Sequence, residues 1–390
     1  FALRVLMVVP TYGLLWVLTR KLGSGPRLAT LLILASGLAT SNNWSFRPQL
    51  LVYPLFVAGL FAFWNWHLGS RRYLWILPIL AILWANLHGS FPLFFILGGL
   101  ALTLGRGDRK MLALALGLSV FITFINPYGP SLWRLVTTAT LAGANIGPEW
   151  SPPVNEGWQM NLFFGWIILL APLAALSPRR LSKLEWVWFL SLTWLALSGL
   201  RYVIWDVLFL AALTAALLSE WDRRWLDLPV RAGRPALNVG IALALFILSL
   251  GFLPGMRERW WTAAPPSLSP ETPVAATAWL VEHPELPGPM WSDFVFSSYL
   301  IYALPSRPVW MDTRLEIIYT ADDFVRYRQI ASASPGWDEN LARDHINLVM
   351  ASVEGEPILI RILRASSEWC EQYHDAEAVI FSRKELTPCP

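Results

Sequence analysis

Apolar runs of roughly 14 to 20 residues, separated by short polar breaks, fill the chain as far as position 256. They cover about 5–19, 28–41, 48–66, 73–87, 91–105, 111–126, 160–176, 186–199, 202–218 and 237–255. A helix needs about 20 residues to cross the hydrocarbon core, so the shorter runs must borrow flanking residues or pack in thinner regions. The pattern predicts an α-helical polytopic membrane protein of about ten spans. After position 256 the pattern changes to short elements. SPETPVAATAWLVEHP and SSYLIYAL read as helices, RPVWMD as a short strand, and TADDFVRYRQIASA as a helix with Thr320 and Asp323 as its capping box. INLVMASV and AEAVIFSR read as strands. Alternating helices and strands predict a C-terminal α/β domain over 257–390, attached to a transmembrane domain over 1–256.

Composition agrees with this division. Of 390 residues, 55% are hydrophobic and 15% charged, with 23 Trp and a mean hydropathy of +0.46, which excludes an ordinary soluble domain. Residues 1–256 hold 19 Lys and Arg against 8 Asp and Glu, whereas 257–390 hold 11 against 19. An acidic tail therefore hangs on a basic membrane body. The chain begins at Phe1 with no basic segment ahead of an apolar core, so it reads as a fragment lacking N-terminal spans.

Charge also orients the spans. Alternate loops carry Arg20, Lys21 and Arg27; Arg71 and Arg72; Arg106, Arg109 and Lys110; Arg179, Arg180 and Lys183; and Arg223, Arg224, Arg231 and Arg234. The intervening loops carry only Arg47, Arg134 and Arg201. Positive residues gather on the cytoplasmic side, so the loops at 42–47, 88–90, 127–159 and 200–201 face outward, and so does the tail. Cys370 and Cys389 both lie in that tail, where either a disulfide or two free thiols would suit. Within 127–159, the stretch 130–143 fits a helix along the membrane surface.

Arg47 and Arg201 are the two anomalies. Each starts a span on the outer side, against the positive-inside bias, at a helix N-terminus where a cation is disfavoured by a few tenths to about 1 kcal/mol. A bound anion would compensate both, since guanidinium groups and free helix N–H groups suit phosphate. Snorkelling to headgroups, or pairing with acids of the tail, is the alternative. Asp206 is the one carboxylate inside an expected span; a partner on a neighbouring helix would explain it. His88 and Asn86 sit in WANLHGSFP, where a histidine could hold phosphate or move a proton or simply cap a turn. Glu149 and Trp150 in PEWSPP combine a carboxylate with an aromatic ring, as a sugar cleft would, or anchor the loop at the interface. No metal-ligand spacing, P-loop, dinucleotide fingerprint or GxSxG elbow occurs, and the acids Asp322 and Asp323 suit a helix start.

The outward arginines, the interfacial helix, the turn Asn126 to Gly129 and the α/β tail together resemble the GT-C superfamily of membrane glycosyltransferases. RPQ (47–49), WANLHGSF (84–91), NPYG (126–129) and EWSPP (149–153) look like a bacterial branch of it. The stretch Met290 to Arg314 is similar in layout to oligosaccharyltransferase catalytic subunits, with Trp291, Asp293 and Asp312 at comparable places, although the Trp-Trp-Asp-Tyr-Gly motif itself is absent.

The resemblance implies an integral glycosyltransferase of the bacterial inner (plasma) membrane, multi-pass and with its tail extracytoplasmic. It would move a sugar from a polyprenyl-phosphate donor to a glycan, lipid or protein acceptor on the outer face, inverting and metal-independent. No cofactor and no nucleic-acid partner are expected, with a divalent metal left open. Arg47, Arg201, His88 and Arg134 would bind the donor phosphate, and Trp44, Asn86, Glu149, Trp150, Trp291 and Asp293 would line the sugar and acceptor cleft. The general base would lie in an outward loop upstream of Phe1, leaving Glu149 and Asp206 as fallback candidates within the chain. An O-antigen-ligase-like transferase, a transporter or flippase, and a non-catalytic scaffold are the alternatives.

Overall fold

Helix follows helix through the apolar part of the chain, as its runs and breaks predict. The computed structural model describes residues 2–44, 47–141, 148–222, 268–269, 271–313 and 319–389, with single positions between 239 and 247. The expected span 237–255 lies mostly outside the described residues. Ten helices come before it: α1 (Ala2–Lys21), α2 (Pro26–Ala39), α3 (Tyr53–His67), α4 (Ile76–Leu87), α5 (Pro92–Leu104), α6 (Arg109–Ile122), α7 (Ser131–Leu141), α8 (Gly157–Leu176), α9 (Lys183–Ser198) and α10 (Val203–Trp221). Proline at the first turn starts α2, α3 and α5, where a missing N–H costs nothing. Asp108 caps α6, and Ser182 with Glu185 forms a capping box at α9.

Among the described residues, four helical stretches are long and apolar enough to cross a membrane: Leu3–Lys21, Pro48–His67, Gly157–Leu176 and Leu200–Trp221. The 12 residues of α4 and the 13 of α5 rise only about 18 to 20 Å, short of the ~30 Å hydrocarbon core. Large apolar side chains stand exposed on the outward faces, among them Leu34, Phe121, Ile168 and Trp194. So much exposed apolar surface fits a lipid surround rather than water.

The last long helix, α10, is different. Nearly all of it is buried, and α9, α2, α1 and α8 pack around it. Its uniform apolarity therefore reflects the protein interior on every side. Trp205 anchors it at its N-terminal end, stacking on Trp84 at 5.8 Å and meeting Tyr53 and Phe56 edge-on at 5.2 and 5.0 Å. One turn on, Phe209 stacks on Trp64 at 5.6 Å and meets Trp188 edge-on at 6.2 Å.

By its internal contacts the chain divides into two compact units, one holding 1–137 and 147–262 and the other holding 138–146 and 263–390. The second contains α11 (Val274–Glu282), β1 (Met290–Ser292), α12 (Phe294–Ala303), α13 (Ala321–Ala331), α14 (Trp337–Arg343), β2 (Leu348–Ser352), α15 (Pro357–Ala365), β3 (Trp369–His374) and β4 (Ala378–Arg383). The sheet order is β1-β2-β4-β3, with β1 parallel to β2 and the other pairs antiparallel. Alternate residues feed two cores. Trp291, Val349, Ala351, Val379 and Phe381 pack with α13, α14 and α15, while Met290, Leu348, Met350, Ala378 and Ile380 pack with α11 and α12. The capping box of Thr320 and Asp323 starts α13. The segment RPVWMD differs from expectation: it contributes only an isolated bridge between Met290 and Val309. Cys370 and Cys389 form a disulfide with their Cα atoms 5.6 Å apart.

Candidate functional site

The two anomalous arginines come together. Arg47 precedes a 3₁₀ turn, Pro48–Val52, that leads into α3, and Arg201 lies in the 3₁₀ turn Leu200–Tyr202 that leads into α10. The Gln49 side-chain amide donates to the Arg201 carbonyl at 3.2 Å and ties the two turns. Glu149, from the turn Pro148–Trp150 of the long loop, supplies a counter-charge. Arg47 Nη1 donates to Glu149 Oε2, and Arg201 Nη1 faces Glu149 Oε1 at 3.9 Å. One carboxylate thus serves two guanidinium groups from the turns that lead into two separate helices.

Arg201 is held from the other side by Trp150. Its guanidinium carbon lies 4.0 Å above the indole ring, and that ring meets Tyr202 edge-on at 6.1 Å. The Leu200 N–H donates to the Ser151 carbonyl at 2.9 Å, which fixes the loop against the start of α10. Gly199 makes this closeness possible: a Cβ there would lie 3.1 Å from the Tyr202 ring and 3.2 Å from the Trp150 carbonyl oxygen. Side-chain exposure is 15% for Arg201, 34% for Glu149 and 60% for Arg47, so the cluster opens outward on the Arg47 side.

His88 adjoins the cluster. Burial, with the charge of Arg201 added, pushes its imidazole down to about 4, so it is neutral at physiological pH. The Ser90 N–H donates to Nδ1 at 3.1 Å, which places the ring hydrogen on Nε2. His88 can therefore offer an anion a hydrogen bond but not a charge.

The other expected site residues do structural work or stand elsewhere. Asn86 donates to the carbonyls of Ile82 and Ile125, both at 2.9 Å, and fastens α4 to the NPYG turn. In that turn Asn126 accepts from the Tyr128 N–H at 2.7 Å and donates to the Gly129 carbonyl at 3.0 Å, aiming the chain into α7. On α7, Trp133 packs edge-on against Phe91 at 4.8 Å, while Arg134 is exposed and pairs with no acid among the described residues. Trp44 donates its indole N–H to the Tyr12 hydroxyl at 3.1 Å. Asp206 is fully buried in α10; Thr193 lies near enough to act on its carboxyl, but neither group has a hydrogen bond of normal geometry.

Trp291 and Asp293 belong to the second unit and are buried there. Trp291 stacks on Tyr327 at 5.4 Å, and Asp293 caps α12 by accepting from the N–H groups of Val295 and Phe296 at 2.7 and 3.1 Å. The Tyr327 hydroxyl lies 3.2 Å from Asp293 and 3.1 Å from Glu356. Burial and the nearby Asp293 carboxyl push Glu356 up to about 9. Among the described residues no group of three His, Cys, Asp or Glu could hold a metal ion.

From the sequence, both arginines and His88 were expected at the donor phosphate, and Glu149 and Trp150 in the sugar and acceptor cleft; that Glu149 lies between the arginines was not foreseen. No part was expected of Gln49, Ser90, Ser151 or Gly199. The RPQ and LHGS strings contain the first two, but a side-chain bond to a carbonyl some 150 positions away leaves no local signal.

No protein-family model matches the sequence, and no curated protein matches it. Among solved structures, the arabinofuranosyltransferase AftD from Mycobacteria is similar over 98% of this chain, with a TM-score of 0.51 and 17% identity. The likeness shows the fold. It reaches no further than that: the chain is similar in fold to this arabinofuranosyltransferase and spans 35% of its length.

Proposed function

We propose that the protein is a GT-C membrane glycosyltransferase that holds the phosphate of a polyprenyl-linked sugar donor between Arg47 and Arg201. The observation that carries this reading is the shared carboxylate: two arginines from the turns that lead into separate helices converge on one point where an anion is accepted. Arg201, half-enclosed and stacked on Trp150, would be the fixed contact, and Arg47 the outer one. The neutral His88 would add a hydrogen bond from Nε2. The Trp150 face and the neighbouring Tyr202 offer the flat apolar surface on which a sugar ring packs.

A donor anchored in lipid reaches such a site sideways along the membrane surface. The excess of basic residues in alternate loops supports an outward placement, about ten spans and an extracytoplasmic tail, and the resemblance of the short motifs to a bacterial branch points to the bacterial inner membrane. The disulfide of Cys370 and Cys389 fits an oxidising compartment. The acceptor, whether glycan, lipid or protein, would approach from the same side. An O-antigen-ligase-like transferase would use the same two arginines, on a diphosphate. The test is sugar transfer in membranes supplied with a labelled polyprenyl-phosphate sugar. Transfer that is lost in Arg201→Ala, from a protein whose tail is accessible only from outside, supports the reading. A tail on the cytoplasmic side, or transfer untouched by Arg201→Ala, overturns it.

A further inference from the structure

The two arginines are already occupied. Glu149 reaches them with both carboxylate oxygens, one toward each guanidinium, which is how two oxygens of a phosphoryl group would meet them. A carboxylate and a phosphoryl group cannot fill that place together. We propose that Glu149 is an internal stand-in for the donor phosphate, a latch that closes the anion site until a phosphoryl group displaces it. This rests on the anion site proposed above.

The surroundings suit a side chain that leaves while its loop stays. Trp150 is held beneath Arg201, and Ser151 accepts the Leu200 N–H at 2.9 Å, so the residues just after Glu149 are fastened to the start of α10. Pro152 and Pro153 stiffen the chain beyond them. Glu149 itself is one-third exposed, and among the described residues its polar side-chain contacts are the two ion pairs. Rotation about its own side-chain bonds is enough to free both guanidinium groups. The exchange is also balanced in charge: a phosphodiester brings one negative charge where one carboxylate departs, so the cluster never holds two uncompensated cations.

The latch makes an inverted prediction. Removing a residue that contacts a ligand weakens binding, whereas removing an internal competitor strengthens it, by the inverse of the fraction of molecules in which the site is open. If the site is open in about one molecule in ten, Glu149→Gln tightens binding about tenfold. Farnesyl phosphate, titrated into the full chain in detergent, is the probe, and inorganic phosphate alongside it separates recognition of the phosphoryl group from recognition of the lipid. Glu149→Asp, too short to reach both arginines, should also bind more tightly than the natural protein and guards against a folding defect in either variant. In an Arg47→Ala background the gain from Glu149→Gln should shrink, because only the longer ion pair to Arg201 remains to be released. Unchanged or weaker binding in both Glu149 variants overturns the latch, and so does a gain of equal size in the Arg47→Ala background, which marks a general charge effect. The anion site is judged separately: if Arg201→Ala leaves the affinity of the natural protein unchanged, the site itself is wrong, whereas loss in Arg201→Ala without gain in Glu149→Gln removes the latch alone.

Discussion

Glu356→Gln should make the second unit more resistant to alkaline conditions. The Glu356 carboxyl is buried, accepts the Ser352 N–H at 2.6 Å through one oxygen and meets the Tyr327 hydroxyl at 3.1 Å through the other. That hydroxyl has one hydrogen and two acidic neighbours, Glu356 and Asp293. A second proton is needed to join all three groups, and Glu356 carries it, with its carboxyl pushed up to about 9 by burial and by Asp293. An acid whose folded value lies above its unfolded one stabilises most below the unfolded value. Between 4.5, the ordinary value, and about 9 the unfolded chain gives up the proton and the folded one keeps it, so stability falls as pH rises. At about 1.4 kcal/mol per unit, the loss from 4.5 to neutral pH is about 3 kcal/mol. Glutamine keeps an acceptor for Ser352 and a donor for Tyr327 and cannot ionise. Hydrogen exchange of α12 and α15 in the full chain, corrected for intrinsic rates, measures the effect at about pH 5 and about pH 8. Protection should fall between these values in the natural protein and stay level in Glu356→Gln. Equal protection at both in the natural protein would refute the reasoning.

Three further outcomes follow from particular contacts. Reducing the Cys370–Cys389 disulfide, which closes a loop with a sequence separation of 19, should destabilise the second unit by about 3 kcal/mol, read from hydrogen exchange in β3 with and without reductant. Gly199→Ala should force the turn away from Trp150 and Tyr202, costing about 1–3 kcal/mol in thermal unfolding and weakening farnesyl phosphate binding; an unchanged midpoint would mean the turn yields freely. An anion seated between the arginines offsets the charge of Arg201, so the His88 value should rise from about 4 when farnesyl phosphate binds, followed by NMR of labelled histidine. Burial persists in the complex, so it should remain below the ordinary 6.5.

Elements encoded by local pattern were legible in the sequence, and pairings over long separations were not. Apolar runs broken by Gly, Pro and Arg marked the helices, and the Thr320 and Asp323 box marked the start of α13. At three residues β1 is too short to show alternation, and β3 is interrupted by a register shift between Glu371 and Tyr373. Arg47 and Arg201 stood out because each defies two electrostatic preferences within its own segment. Their meeting at Glu149 joins positions 47, 149 and 201, and nothing in any one segment predicts it. The apolar run of α10 looked made for lipid but lies inside the bundle, because hydropathy cannot separate a lipid-facing helix from a helix enclosed by protein.

The most direct measurement of the anion site is the affinity of a polyprenyl phosphate for the purified full chain when each arginine is removed in turn. Arg201 is the more enclosed and is backed by Trp150, so Arg201→Ala should cost about 2–3 kcal/mol, or roughly a hundredfold in affinity. Arg47, the more exposed, should cost about tenfold. Loss in that order is the predicted result, and affinity unchanged in both variants would contradict it.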